Sequence, residues 1–179
     1  MHISRFNIYT FIDSFDENKI LNFSSNHSVI YRNYEHKIDL KTIFQIKKVC
    51  KRNKIKFYLA NNIKLALQAN LDGVYIPSFN RSLNLNNFKN KRKNFTIIGS
   101  AHNISEIKFK EKKGINLIFL SPLFFTKNYK SCLGVVKFNL ISRLTDKKII
   151  ALGGIRKKNL NKLKILKAIG FSGITIFNK

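Results

Sequence analysis

The sequence predicts a short parallel (β/α)8 barrel of the TIM type. Eight apolar runs recur along 179 residues, each rich in Ile, Val, Phe or Tyr and apolar on consecutive positions, as strands covered on both faces are. Stretches of helical periodicity separate the runs, and such regular strand–helix alternation closes a parallel sheet on itself. The whole chain, 1–179, reads as a single domain of this kind, long enough to bury one core.

In chain order the runs are Asn7–Ile12, Val29–Tyr31, Lys56–Leu59, Gly73–Ile76, Phe95–Ile98, Leu117–Leu120, Lys148–Ala151 and Gly173–Phe177. Only Phe15–Phe23 is available for the first helix, which must be short. In the second, Leu40, Ile43, Phe44, Lys47 and Cys50 follow i, i+3, i+4 spacing behind Asp39, a side chain suited to cap the helix start. Asn103 with Glu106 three residues on reads as a capping box ahead of Ile104 and Ile107, and Gly114 stands where a helix ends. Leu160, Leu163, Leu166 and Ile169 form a last stripe, closed by Gly170. The eighth run lies at the chain end, so the closing helix is expected to be truncated. An open doubly wound sheet is the alternative, but no G-x-G-x-x-G turn opens the first helix.

Composition narrows the function classes. Lys (27), Ile (25), Asn (22) and Phe (16) make up 90 of the 179 residues. All four have AT-rich codons, so base bias accounts for the net charge of +25 without a ligand. A nucleic-acid site would cluster its cations with arginine or aromatic readers. Here the lysines are spread along every helix and there are seven Arg. Weak, salt-sensitive attraction to polyanions is expected; specific nucleic-acid binding is not. No uncharged apolar run reaches the ~18 residues of a membrane span, and 1–16 has no signal-peptide core, so cytoplasm is the expected location. Cys50 and Cys132 have neither metal nor redox spacing. Cys50 is expected in the core, and no disulfide is expected in a reducing compartment.

In such a barrel, chemistry sits at the carboxyl ends of the strands. The residues that follow the runs are Arg32, Asn33 and Tyr34; Asn61 and Asn62; Pro77 and Ser78; and Ser100, Ala101 and His102. After the sixth come Ser121-Pro122 and Thr126, Lys127, Asn128, Tyr129 and Lys130; after the seventh, Gly153-Gly154-Ile155; after the eighth, Phe177-Asn178-Lys179. Two glycines there let the backbone approach an anion and offer it N–H groups. The competing reading is a tight turn that needs positive φ. A side chain at 154 is expected to exclude phosphate sterically and leave the fold intact. Arg32, Lys127 and Lys130 would add charge. His102 reads as a structural turn residue; His2, His27 and His36 read as solvated. With nine Asp and Glu, of which Asp72 and Asp146 read as turn or cap residues, paired catalytic carboxylates are excluded.

Taken together the segments resemble one family. Leu65-Ala66 and Asp72-Gly73-Val74-Tyr75 match an L-A…D-G-V-H pattern, Ser100-Ala101-His102 an S-x-H turn, and Ser121 to Thr126 with Leu133-Gly134 a G-P-x-F-x-T…L-G segment. Ala151 to Ile155 and Gly173-Ile174-Thr175-Ile176 match the end of the same family, thiamine phosphate synthase and its TenI relatives. The resemblance implies an enzyme that joins hydroxymethylpyrimidine pyrophosphate to thiazole phosphate with the help of Mg²⁺. It also implies roles: Arg32 on pyrophosphate, Ser100 near the departing group, and Thr126 with Lys127 and Lys130 on phosphate or pyrophosphate. Gly153, Gly154, Ile155, Phe177 and Asn178 would hold the thiazole phosphate. The departures are equally specific. The two Mg²⁺ carboxylates of the family align with Asn61 and Asn80, and neutral amides are poorer Mg²⁺ ligands; any Mg²⁺ would then arrive on the substrate. The Lys of the family's R-x-K is Tyr34. A TenI-like thiazole tautomerase and a non-catalytic phosphate-ligand barrel are the alternatives.

Overall fold

The structure, a computed structural model, describes residues 6–35, 38–81, 94–127, 129 and 131–173. Eight parallel strands close into a barrel in sequence order: β1 (Asn7–Ile12), β2 (His27–Tyr31), β3 (Lys56–Ala60), β4 (Gly73–Ile76), β5 (Thr96–Ala101), β6 (Leu117–Leu120), β7 (Lys148–Leu152) and β8 (Gly170–Ser172). Helices α1 (Glu17–Leu21), α2 (Leu40–Arg52), α3 (Ile63–Gln68), α4 (Ile104–Lys112) and α5 (Gly134–Arg143) and a 3-10 helix, η1 (Lys157–Ile165), connect them. The ring closes where Asn7 pairs with Gly170 and Ile8 with Phe171. No helix among the described residues is long and apolar enough to cross a membrane.

Strand residues alternate between two cores. Outward side chains such as Ile8, Val29, Phe57, Val74 and Ile118 pack under the helices. Inward ones fill the barrel, chiefly as rings: Tyr9, Phe11, Tyr58, Tyr75 and Phe119. Phe119 meets Tyr9 at 5.3 Å and Tyr75 at 5.7 Å, and Phe11 meets Tyr75 at 5.1 Å, all edge to face. That geometry suits the ring quadrupoles. The barrel is therefore solid through its middle.

The helix signals hold with local shifts. The Asp39 carboxylate accepts the N–H groups of Lys41 and Thr42. The face α2 buries runs through Ile43, Ile46, Val49 and Cys50. Leu40 and Phe44, expected on that stripe, are each 52 % exposed. An i+3 row starting from Ile43 faces the barrel, and Phe44 lies one residue, about 100°, away from it. Burial pushes the Cys50 thiol up to about 12, as befits a core residue. Asn103 caps α4 by accepting the Glu106 N–H, while the Glu106 carboxylate takes the N–H of His102. Gly114 ends the helix at φ +80.

Four expectations are corrected. The 160–169 stripe is not one helix: η1 stops at Ile165 and Leu166 is already extended. Ile169 donates its N–H to the Ile149 carbonyl and accepts the Asn7 N–H on its own carbonyl, so both neighbouring strands recruit it. The closing strand consequently begins at Gly170, three residues before the Gly173 start that the apolar run suggested. The remainder of that run, 174–177, lies outside the described residues, and no helix follows β8 among those described. His27, read as solvated, is 7 % exposed in β2 and stacks on Phe23 at 4.9 Å. Lys110, one of the lysines that composition places in solvent, is 2 % exposed. Its ammonium donates to the carbonyls of Pro77 and Asn80 at 3.0 Å each. It thus ties α4 to the turn after β4.

Two tests follow from these contacts. A Cβ at Gly170 would stand 2.3 Å from the Asn7 carbonyl oxygen, so Gly170→Val should pry the β1–β8 seam apart. Overpacking of this kind costs about 1–3 kcal/mol, and a fall in the thermal midpoint of roughly 5 °C is expected from it; an unchanged midpoint would refute this register. Desolvation lowers the Lys110 pKa from the usual 10.5 to about 8. Between those values the unfolded chain binds the extra proton, so stability rises with pH across that window. In Lys110→Met the rise in denaturation midpoint from pH 8 to 10 should be smaller than in wild type.

Candidate active site

The carboxyl ends of the strands surround one cavity of about 510 Å³. Its floor is the top of the aromatic filling. The Tyr75 hydroxyl donates to Ser100 Oγ at 3.1 Å, and the Arg32 guanidinium lies over the Phe11 ring, 4.7 Å from its centroid. Burial raises the Tyr75 pKa, with the bond to Ser100 and the nearby Arg32 opposing it. Tyr75 is therefore a neutral donor.

On one side stands His102. Its Nδ1 is 3.0 Å from the Ser121 carbonyl oxygen, which can only accept, so the network assigns the proton to Nδ1. That leaves the Nε2 lone pair toward Ser78 Oγ at 3.1 Å and the Tyr129 hydroxyl at 3.5 Å. Ser78, His102, Ser121 and Tyr129 all line the cavity. The turn residue of the sequence reading is thus part of the site wall.

On the other side lies the glycine turn after β7. Gly153 and Gly154 take φ +94 and +68, a region closed to most side chains. A Cβ at Gly154 would meet the Phe124 carbonyl oxygen at 2.5 Å. Its first effect would be to displace the loop after β6 rather than to fill the cavity, which corrects the expectation that a side chain at 154 leaves the fold untouched. Neither glycine N–H has an acceptor among the described residues. Two buried hydroxyls that line the same cavity, Thr126 Oγ1 and Ser172 Oγ, also have no partner among the described residues. Buried polar groups are rarely left unpaired, so the two hydroxyls are candidate donors to a ligand in the cavity.

Arg32, Ser100, Thr126, Lys127, Gly153, Gly154 and Ile155 therefore share the cavity. Lys130, Phe177 and Asn178 lie outside the described residues. Asn61 and Asn80 do not line the cavity, yet they meet beside it: Asn80 Nδ2 donates to Asn61 Oδ1 at 2.6 Å. Asn61 sits at φ +58, a conformation Asn tolerates. Neutral amides are poorer Mg²⁺ ligands than carboxylates, and among the described residues no group of three or more His, Cys, Asp or Glu could hold a metal. Sequence reading missed Ser172, Arg156, Phe79 and Phe125 as wall residues. Arg156 follows the Gly-Gly-Ile turn directly and could have been inferred; Ser172 was hidden by the misplaced last strand. A larger hollow of about 940 Å³ at the opposite rim holds none of the anticipated site residues.

Comparison with known proteins gives this geometry its context. Residues 22–178 match the family model described as thiamine monophosphate synthase. The thiamine-phosphate synthase of Coprothermobacter proteolyticus is 32 % identical over 136 residues, 74 % of this chain and 62 % of that protein. The thiamine-phosphate synthase of Prochlorococcus marinus subsp. pastoris is 31 % identical over 128 residues, 70 % of this chain and 36 % of that protein. The chain thus spans less than two thirds of each of these two relatives. A solved structure, thiamine phosphate pyrophosphorylase from Pyrococcus furiosus, shares the fold with a TM-score of 0.74 at 18 % identity, over 95 % of this chain and 86 % of that one. With seven of its eight strands inside the matched segment, the chain belongs to the thiamine monophosphate synthase family.

Proposed function

We propose that this chain joins hydroxymethylpyrimidine pyrophosphate to thiazole phosphate, yielding thiamine phosphate and pyrophosphate. The observation that carries this reading is the convergence of Arg32, Thr126, Lys127 and the Gly153-Gly154 turn on one cavity. Loss of pyrophosphate breaks a C–O bond and leaves a pyrimidine cation, whose carbon then accepts the lone pair of the thiazole nitrogen. Arg32 and Lys127 stabilise the departing anion where its charge develops. The glycine turn, with Thr126 and Ser172, holds the thiazole phosphate, and Ser100 lies by the leaving group on the Tyr75 floor. The positions of the family's Mg²⁺ carboxylates are the amides Asn61 and Asn80 here, so in this reading metal enters only as the chelate of the substrate. The Asn61–Asn80 pair favours a second reading, in which the barrel binds a phosphorylated ring and does no metal-assisted chemistry.

The two readings part in one assay, thiamine phosphate formation across a Mg²⁺ titration. Asn61→Asp with Asn80→Asp should raise the rate and steepen its Mg²⁺ dependence. Without substrates the same variant should gain thermal stability on adding Mg²⁺ while wild type does not, because ligand binding to the folded state stabilises it. If both proteins are inactive with pyrophosphate demonstrably bound, the synthase reading fails and the binding barrel stands. Gly154→Ala, which pushes the 124–125 backbone and with it Thr126, should weaken thiazole phosphate binding at least tenfold, or about 1.4 kcal/mol. Unchanged affinity would remove the glycine turn from the phosphate site.

A further inference from the structure

Among the described residues five large aromatic side chains are exposed: Tyr34, Phe44, Phe79, Phe125 and Tyr129. Four of the five, all but Phe44, stand at the mouth of the same cavity. Phe79 and Phe125 are 68 % and 67 % exposed, and a patch of rings left in water at a pocket rim marks a place that a ligand covers. The rings also form two walls. Tyr34 follows β2 and Phe79 follows β4, and the two meet edge to face at 5.9 Å. Phe125 and Tyr129 follow β6, the strand diametrically across a closed ring of eight from β2. Arg32, Lys127 and the Gly153-Gly154 turn line the same cavity.

We propose that Tyr34, Phe79 and Phe125 are the specificity-determining residues of this site, forming a slot that stacks a planar heteroaromatic ring while the glycine turn holds its phosphate. This rests on the reading that the cavity takes phosphorylated rings, and it assigns the discrimination among them to stacking. A flat ring between two aromatic walls gains stacking that a sugar or alkyl chain cannot make, and a cationic ring gains more through cation–π attraction. Tyr34 stands where the family resemblance implies a lysine, so an ionic contact has given way to an aromatic face. Aromatic walls add little torsional cost on binding, since each ring has two side-chain torsions to fix. The site should thus prefer flat phosphorylated heterocycles to aliphatic phosphates of similar charge.

The test is titration calorimetry on the full chain, in a chelator, with thiamine phosphate, ribose 5-phosphate and inorganic phosphate as probes. Wild type should bind thiamine phosphate at least tenfold more tightly than either of the others. Phe79→Leu with Phe125→Leu keeps apolar bulk but removes the faces. It should weaken thiamine phosphate about tenfold, through the lost stacking, and leave inorganic phosphate unchanged. Phe79→Tyr with Phe125→Tyr should restore the wild-type preference. Equal affinity of wild type for thiamine phosphate and ribose 5-phosphate would overturn the proposal, as would a leucine variant that keeps full discrimination or loses phosphate equally. Discrimination without turnover supports the slot and sinks only the synthase reading. Turnover with KM unchanged in the leucine variant sinks the slot and leaves the synthase reading intact.

Discussion

The interior of the barrel has to be filled, and everything at the rim depends on how these residues fill it. Five rings from β1, β3, β4 and β6 pack together in the middle of the sheet, four of them edge to face. Close packing of that kind leaves no channel, so the strands end on a solid platform rather than a pore. Tyr75 turns its hydroxyl up to Ser100 from this platform, and Phe11 supports the Arg32 guanidinium from beneath. A smaller side chain at Phe119, which touches Tyr9, Phe11 and Tyr75, would lower the floor and loosen the cation together. Core and site are one packing problem here.

At the rim the same material does a different task. Sites for pyrophosphate ordinarily gather carboxylates for a metal and lysines for the anion. This chain places two amides and a tyrosine at three such positions, and Asn61 and Asn80 close on each other. Cations remain at Arg32, Lys127 and Arg156, and unpaired hydroxyls at Thr126 and Ser172. In the proposed reading, the balance of recognition moves from divalent charge toward hydrogen bonds and ring faces.

Much of this was legible in the residues. The strand runs at Asn7–Ile12, Gly73–Ile76 and Leu117–Leu120 coincide with β1, β4 and β6, because buried parallel strands are apolar on consecutive positions. Knowing that strand ends meet at one rim was enough to bring Arg32, Ser100, Thr126 and the glycine pair together from distant parts of the chain. Failures came where local pattern and tertiary demand diverged. Leu160, Leu163 and Leu166 keep helical spacing, but the ring needs Gly170–Ser172 as its last strand, and hydrogen bonds from β1 and β7 to Ile169 override the periodicity. Phe79 and Phe125 carry no periodic signature at all, since a loop aromatic reads alike whether it faces core, solvent or ligand. The helix-to-loop contact of Lys110 was likewise invisible among 27 lysines.

A crystal structure of the chain grown with thiamine phosphate tests the central claim most directly. The account predicts the phosphate against the N–H groups of Gly153 and Gly154, within hydrogen-bond reach of Thr126 and Ser172, and the ring system between Tyr34 and Phe125. Phosphate density elsewhere on the barrel, or a ligand at the opposite rim with the glycine turn vacant, would contradict it.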